Sequence, residues 1–236
     1  TRHAWIFCGI ITGLALLTKY TALLLGPIYI LLGVACLWRK TISFLNLFID
    51  ALIVILSIIV VMGAGYNFSF NIFLYFEGLQ SIYANAIPEY QFYLLGNVSN
   101  TPWWYYYFVT FALKTPVPTL GLIALAVTTL IWKKENTEAA IFLLIPTLFI
   151  FAIACFDQTN LGYRRILPAL PFLLLFCAHA LSGQLPRWRS IAVILLLIWT
   201  GINAATIFPH HLSYFNTLSG GPLRGPYLLD DSNIDW

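Results

Sequence analysis

Residues 43–64 read SFLNLFIDALIVILSIIVVMGA, and this run decides the class of fold. Asp50 is its only charged residue, and no proline interrupts it. A helix needs about 20 mostly apolar residues to cross the hydrocarbon layer of a bilayer, and the run is long enough. It therefore predicts a membrane-crossing helix in which Asp50 is a carboxylate near or within the membrane.

The rest of the chain is equally poor in charge. Its 236 residues include 12 Lys and Arg and 9 Asp and Glu, so 9% are charged, whereas 60% are hydrophobic. A soluble domain has about 25% charged residues. So few charges cannot cover a water-exposed surface, which excludes a soluble domain, a disordered chain and a nucleic-acid binder. The apolar residues come in runs rather than alternating with polar ones, so the sequence predicts an all-α fold, a polytopic transmembrane helical bundle.

Further apolar runs bring the predicted number of crossings to about seven. Residues 4–38 form a long run that is broken at Thr18-Lys19-Tyr20 and predicts a helical hairpin. After residues 43–64, the other predicted crossings are 116–132, 139–156, 166–185 and 191–208. In this interpretation residues 1–208 form the transmembrane bundle, with 65–114 as an extracytoplasmic interfacial segment. Residues 209–236 form an extracytoplasmic tail that leads to a missing C-terminal region.

The cations at helix ends predict the orientation. Those in the short loops on one side are Arg2, Arg39, Lys40, Lys133, Lys134, Arg187 and Arg189. Because positive residues favour the cytoplasmic side, the N-terminus is predicted to be cytoplasmic and the tail extracytoplasmic. The predicted location is a membrane, with the bacterial inner membrane favoured. The chain begins at Thr1 and stops in a polar stretch at Trp236, so we expect it to be an internal piece of a longer protein.

The interfacial segment contains two aromatic features. Between residues 70 and 85, apolar side chains such as Phe73 and Phe76 recur at helical spacing, opposite Glu77, Ser81 and Asn85. This pattern predicts an amphipathic helix in the outer interface. The string WWYYY at residues 103–107 predicts an aromatic belt at the depth of the lipid headgroups.

The remaining cations near predicted crossings suggest a binding site. Lys19, Lys114 and the pair Arg164-Arg165 lie at the outer ends of different crossings. Charge near the bilayer is costly, and a cluster of Lys and Arg suits a lipid-linked phosphate. The four residues are therefore predicted to bind a lipid phosphate together. Each one alone could instead extend toward the headgroups without binding a specific ligand.

The other polar residues do not single out one chemistry. Glu77, Glu89 and Asp157 are outside carboxylates, and any of them could act as a general base. Asp230, Asp231 and Asp235 could bind a divalent metal or sugar hydroxyls, or could belong to a solvated linker. No cofactor is certain, and no metal site is assigned. The cysteines lie in apolar runs without metal-ligand spacing and are expected to be small core residues.

Several strings, in order along the chain, resemble a family. These strings are 13–22 (GLALLTKYTA), 93–96 (YLLG), 103–106 (WWYY), 113–116 (LKTP), 160–168 (NLGYRRILP), 214–216 (YFN), 220–222 (GGP) and 231–236 (DSNIDW). Together they resemble the polytopic, phospholipid-carrier-dependent glycosyltransferases of the GT-C superfamily. That group includes the protein O-mannosyltransferases and the aminoarabinose lipid A transferases.

The resemblance implies an inverting glycosyltransferase in the membrane. Its donor would be a polyprenyl-phosphate-linked sugar, and its acceptor a protein or a lipid on the outer face. By motif position, Lys19, Lys114 and Arg164 would lie in the region that binds the carrier phosphate. Arg165 departs from the His or Tyr that is usual there. The family's catalytic carboxylate lies in a first outer loop that we expect to precede this sequence, so no catalytic residue is assigned.

Two other classes of function fit the composition. A transporter or flippase would have intramembrane acids, inverted repeats and broken helices at the midplane, of which only Asp50 gives a hint. A structural subunit of a membrane complex would need no converging cations. An outer cavity between the cations would favour the enzyme over the structural subunit.

Overall fold

A computed structural model describes residues 2–68, 72–84, 91–133, 137–156, 160–211 and 213–229. The chain divides into two compact units, residues 1–88 and residues 89–236. The first unit contains helices α1 (Arg2–Thr18), α2 (Leu25–Trp38), α3 (Phe44–Gly65) and α4 (Ile72–Ala84). A 3-10 turn at Tyr20–Leu24 joins α1 to α2. Helix α3 coincides almost completely with the run at 43–64, and the Ser43 hydroxyl caps it by accepting a hydrogen bond from the Asn46 N–H.

The predicted helical hairpin at the start of the chain is confirmed. Helix α1 ends at Thr18, and Lys19 has an extended backbone before the next turn begins at Tyr20. The Tyr29 hydroxyl of α2 lies 2.7 Å from the Thr12 hydroxyl of α1, and Cys8 is also within hydrogen-bonding distance of it. The start of the second helix therefore lies beside the first.

Small residues let α1 and α3 approach closely. Gly9 and Gly13 are buried and lie four residues apart, so they share one face of α1. A Cβ atom added at Gly9 would lie 2.5 Å from the Ser57 Cβ and 2.6 Å from the Val54 carbonyl oxygen. Membrane helices commonly pack through such small-residue pairs, because lipid supplies no hydrophobic force between them.

Replacing Gly9 with alanine is therefore expected to separate α1 from α3 and to lower stability by about 1–3 kcal/mol. The matched control is Gly201→Ala in the interior of α9 (Arg187–Ile207), where an added Cβ meets nothing within 4 Å. The thermal midpoint of the purified protein in detergent should fall for Gly9→Ala and stay level or rise for Gly201→Ala. Equal midpoints for the two variants would contradict the close helix contact.

The second unit begins with a hairpin of two short antiparallel strands, β1 (Phe92–Leu94) and β2 (Asn97–Ser99), with Tyr93 opposite Val98. The helices that follow are α5 (Tyr106–Lys114), α6 (Val117–Lys133), α7 (Thr137–Cys155), α8 (Leu170–Ala180) and α9 (Arg187–Ile207). Short 3-10 turns occupy Tyr163–Arg165, Leu167–Ala169, Thr217–Ser219 and Gly225–Tyr227. A core between α6, α7 and α8 is centred on Ala126, Ala140 and Phe176.

The protein is a mostly helical, membrane-embedded chain. Within the described residues, the helical runs long and apolar enough to cross a membrane are Tyr20–Trp38, Phe44–Gly65, Glu138–Cys155 and Arg187–Ile207. Helices α5 and α6, which meet at a bend of 112°, add a fifth if they count as one broken span. Large apolar side chains along these helices face outward; Val60, for example, is 63% exposed. The prediction of about seven crossings stays a prediction, because α1 and Leu167–Ala180 are apolar but shorter.

The expected crossing at 166–185 is shorter than predicted. Regular α-helix runs only from Leu170 to Ala180, preceded by a 3-10 turn that contains Pro168. Gly183 adopts a φ of +86°, which an α-helix does not allow. Prolines at the start and a left-handed glycine at the end therefore limit the helix to 11 residues.

The aromatic features of residues 65–114 differ in part from expectation. Helix α4 confirms the predicted helix between 70 and 85, and Phe73 and Glu77 are exposed on it. Tyr75 of α4 is buried, and its ring packs 4.9 Å from that of Tyr20. The predicted aromatic belt is wrong for Tyr106 and Tyr107, which are fully buried. Asn85 lies outside the described residues.

Candidate functional site

The first element of the candidate site is the end of α5. Tyr107, Thr110 and Lys114 are buried and recur at helical spacing, so they lie on one face of α5. Lys114 is 9% exposed, and its ammonium lies 5.1 Å from the centre of the Phe215 ring. The helix ends here because Thr115 precedes Pro116 and adopts an extended backbone, with φ −81° and ψ 132°. The sequence thus places a buried cation at a fixed helix terminus.

The second element is the turn at Tyr163–Arg165. Gly162 precedes it with a φ of +77°, a conformation that favours glycine, and its carbonyl accepts a hydrogen bond from the Arg165 N–H. The Arg164 side chain is exposed, and its Nε donates to the Leu161 carbonyl at 3.1 Å. Arg165 is half-buried. The turn therefore presents one exposed and one partly covered guanidinium.

Hydrogen bonds join these two elements. The Thr115 hydroxyl lies 3.0 Å from the Tyr163 hydroxyl, and the Leu161 N–H donates to the Tyr107 hydroxyl at 3.2 Å. Burial raises the pKa of Tyr163 above its usual value, although the hydrogen bond to Thr115 opposes this shift. The phenol is therefore neutral at physiological pH and can act as a hydrogen-bond donor. The contacts bring Lys114 and the Arg164-Arg165 pair into one region of the second unit.

Unpaired polar groups lie beside these contacts. Asn160 is 1% exposed, and neither its amide oxygen nor its amide nitrogen has a hydrogen-bond partner among the described residues. Thr110 is fully buried, and its hydroxyl is also unpartnered. Asn160 is the chain neighbour of Leu161, which bonds to Tyr107 on the same α5 face as Thr110. Buried groups of this kind are uncommon, and they give the region unused hydrogen-bonding capacity.

The third element is residues 213–229, which fold back onto the same helix end. The Asn216 side-chain amide donates to the carbonyls of Ala112 and Thr115, and the Asn216 N–H donates to the Leu113 carbonyl. The Asn216 amide oxygen accepts from the Ser219 N–H at 3.1 Å.

Further along, this segment also contacts the β-hairpin. The Leu95 N–H donates to the Leu228 carbonyl, and Leu94 pairs with Leu229. An open groove lies between this segment and α5, with Leu113, Gly220 and Arg224 among its lining residues. The sequence predicts residues 209–236 only as a tail and does not indicate these contacts, although Asn216 belongs to one of the strings that resemble the family.

The predicted phosphate-binding residues are divided between the two units. Lys114, Arg164 and Arg165 lie in the second unit, around the contacts described above. Lys19 is exposed at the break between α1 and the turn that follows it, in the first unit. The convergence of all four on one phosphate stays a prediction.

The predicted acidic candidates give no site in the described part of the chain. Glu77 is exposed on α4. The other candidates, Glu89, Asp157, Asp230, Asp231 and Asp235, lie outside the described residues. Within the described ranges, no three His, Cys, Asp or Glu side chains are close enough to hold a metal ion. All four cysteines are free thiols; Cys177 is buried, as expected of a small core residue, whereas Cys8, Cys36 and Cys155 are only half-buried.

Comparisons with protein-family models, with curated proteins and with solved structures find no match to this chain.

Proposed function

We propose that this protein is an integral-membrane inverting glycosyltransferase that moves a sugar from a polyprenyl-phosphate carrier to a protein or lipid acceptor on the outer face of the membrane. The observation that carries the proposal is the 3.0 Å contact between Thr115 and Tyr163. It joins two strings that resemble the same family, Lys114-Thr115-Pro116 and Gly162-Tyr163-Arg164, and it lies one residue along the chain from Lys114 and one from Arg164.

The cations suit the chemistry of the donor. In an inverting transfer, the acceptor oxygen forms a bond to the anomeric carbon while the bond from that carbon to the carrier-phosphate oxygen breaks. The departing phosphate oxygen takes the electron pair, and a general base takes the acceptor's proton. Lys114 and Arg164 would stabilise the charge that develops on the phosphate. Lys114 is well placed for this role because its burial excludes much of the water that would screen it.

The finer parts of the proposal follow from the sequence. They comprise about seven crossings, a cytoplasmic N-terminus and an extracytoplasmic tail. The helices and their outward apolar side chains support a membrane location. The general base is not assigned, and no metal is needed for the roles given to Lys114 and Arg164.

The proposal can be tested by replacing one exposed cation of the site. In the full-length protein, Arg164→Gln is expected to weaken binding of a polyprenyl phosphate about tenfold and to slow sugar transfer from its glycosylated form, because one charge-assisted contact is lost. Binding can be measured with a labelled polyprenyl phosphate in detergent or nanodiscs. The matched control is Arg187→Gln, since Arg187 is also an exposed arginine but lies at the start of α9.

Three results would count against the proposal. Equal effects of Arg164→Gln and Arg187→Gln would indicate general attraction to the membrane surface rather than a site. Binding of the unphosphorylated polyprenol as strongly as the phosphate would show that no phosphate is recognised. Specific binding of the phosphate without any transfer by the wild-type protein would favour a transporter or flippase.

A further inference from the structure

Arg189 is a buried cation with an unused hydrogen-bond donor. It is 5% exposed, and its Nη1 donates to the Thr129 hydroxyl at 3.2 Å. Its Nε is buried and has no hydrogen-bond partner among the residues that the structure describes. In the described part of the chain, no carboxylate pairs with it. A buried charge normally has a partner of opposite charge, because leaving water costs it more free energy than neutral contacts return.

Two tryptophans surround this guanidinium. Its central carbon lies 5.1 Å from the Trp132 ring and 5.0 Å from the Trp188 ring. The rings offset part of the cost of burial through cation–π attraction. They are 77% and 60% exposed, so they also face the surroundings of the protein. Exposed tryptophans at the ends of apolar helices are typical of the depth of lipid headgroups.

The position of Arg189 within α9 makes an anion more favourable still. The helix begins at Arg187, and the N–H groups of Arg189 and Ser190 both bond to the Pro186 carbonyl. The start of a helix carries a partial positive charge, which disfavours a cation and favours an anion. The last turn of α6, which holds Thr129 and Trp132, offsets part of this charge but supplies no acceptor for Nε.

We propose that this corner of α6 and α9 binds the phosphate of an anionic phospholipid headgroup, with Arg189 as the central contact. A small side-chain movement would let the phosphate oxygens accept from the guanidinium, and Trp132 and Trp188 would pack beside the glycerol and the acyl chains. We assign a lipid rather than free phosphate because both helices are apolar and both rings are exposed beside the cation. The site is separate from the one around Lys114 and does not depend on the proposed transfer reaction.

The test compares lipids and two neighbouring arginines in the full-length protein. Native mass spectrometry would count bound phosphatidylglycerol and phosphatidylcholine, and tryptophan fluorescence would follow the titration. We expect the wild-type protein to prefer phosphatidylglycerol about tenfold and Arg189→Gln to lose most of that preference. Arg187→Gln, which removes an exposed charge two residues away, should change affinity by less than about twofold. Arg189→Lys should bind with intermediate affinity, because it keeps the charge but not the planar fork.

Several results would overturn the proposal. One is an equal loss in Arg189→Gln and Arg187→Gln, which would mean diffuse attraction. A second is the absence of any preference for phosphatidylglycerol in the wild-type protein. This result can be obtained even if the variants do not fold. A third is displacement of the lipid by inorganic phosphate at the same concentration, which would make free phosphate the ligand. If Arg189→Gln fails to fold, Trp132→Leu is the second variant. An unchanged preference of Trp132→Leu for phosphatidylglycerol would contradict the role proposed for the tryptophan rings.

Discussion

Replacing Lys114 with methionine is expected to weaken binding of a polyprenyl phosphate roughly a hundredfold and to bring sugar transfer close to zero. Methionine has a similar length and no charge, so it can fill the space beside the Phe215 ring. The expected effect exceeds that of Arg164→Gln because Lys114 is 9% exposed, whereas Arg164 is exposed to solvent. Charge-assisted contacts strengthen where water is excluded. The measurement is the dissociation constant for the labelled carrier phosphate, together with the transfer rate.

The control for Lys114 keeps the charge. Lys114→Arg should retain measurable binding, since a guanidinium can also contact a phosphate, although its different shape costs affinity. The elution profile of each variant in size-exclusion chromatography checks that it is folded. A folded Lys114→Met protein that binds the carrier phosphate as the wild type does would remove Lys114 from the site. If Arg164→Gln still lowered binding in that case, the phosphate would have to lie nearer to the Tyr163–Arg165 turn.

Replacing Asn216 with alanine is expected to release residues 213–229 from α5 and to lower stability by about 2–4 kcal/mol. The substitution removes the donors to the Ala112 and Thr115 carbonyls and the acceptor for the Ser219 N–H. Asn216 is fully buried, so water cannot readily replace these hydrogen bonds. The thermal midpoint of the purified protein should fall accordingly.

A local measurement distinguishes release of this segment from general unfolding. Arg224 is exposed within the segment, and trypsin cleaves after arginine. Under native conditions, cleavage there should be roughly tenfold faster or more in Asn216→Ala than in the wild type. Asn203→Ala in α9 is the matched control and should change neither the midpoint nor the cleavage rate. Unchanged cleavage at Arg224 in Asn216→Ala would contradict the role of Asn216 in holding residues 213–229 against α5.

The helices of this protein could largely be predicted from the sequence. Where a helix begins and ends depends mostly on residues close together in the chain. The run at 43–64 therefore predicts α3 to within one residue at each end, and Lys19 correctly predicts the break between α1 and α2. The crossing at 166–185 was predicted too long because hydrophobicity alone overlooks the limits set by Pro168 and Gly183. The burial of Tyr106 and Tyr107 was also missed, since aromatic residues suit both a core and a headgroup layer.

The candidate site was only partly predictable. The cations Lys114, Arg164 and Arg165 stood out because the chain has so few charges. Asn216 belongs to the string at 214–216, but its partners could not be deduced, because an asparagine in a polar segment gives no sign of the groups it bonds to. The sequence predicts Arg189 only as a cytoplasmic anchor, and the structure adds that no carboxylate of the described residues pairs with it where α9 packs against α6.

The sequence by itself determined that this chain belongs in a membrane, that it is helical, and which residue types could meet a phosphate. These properties depend on composition and on short-range pattern, and the low charge of 9% excludes the alternatives. Only the tertiary structure decided which groups meet. It brought Thr115 to Tyr163, Asn216 to the end of α5, and Arg189 to Thr129. Each contact joins residues far apart in the chain, and long-range contacts of this kind depend on how helices pack rather than on local sequence.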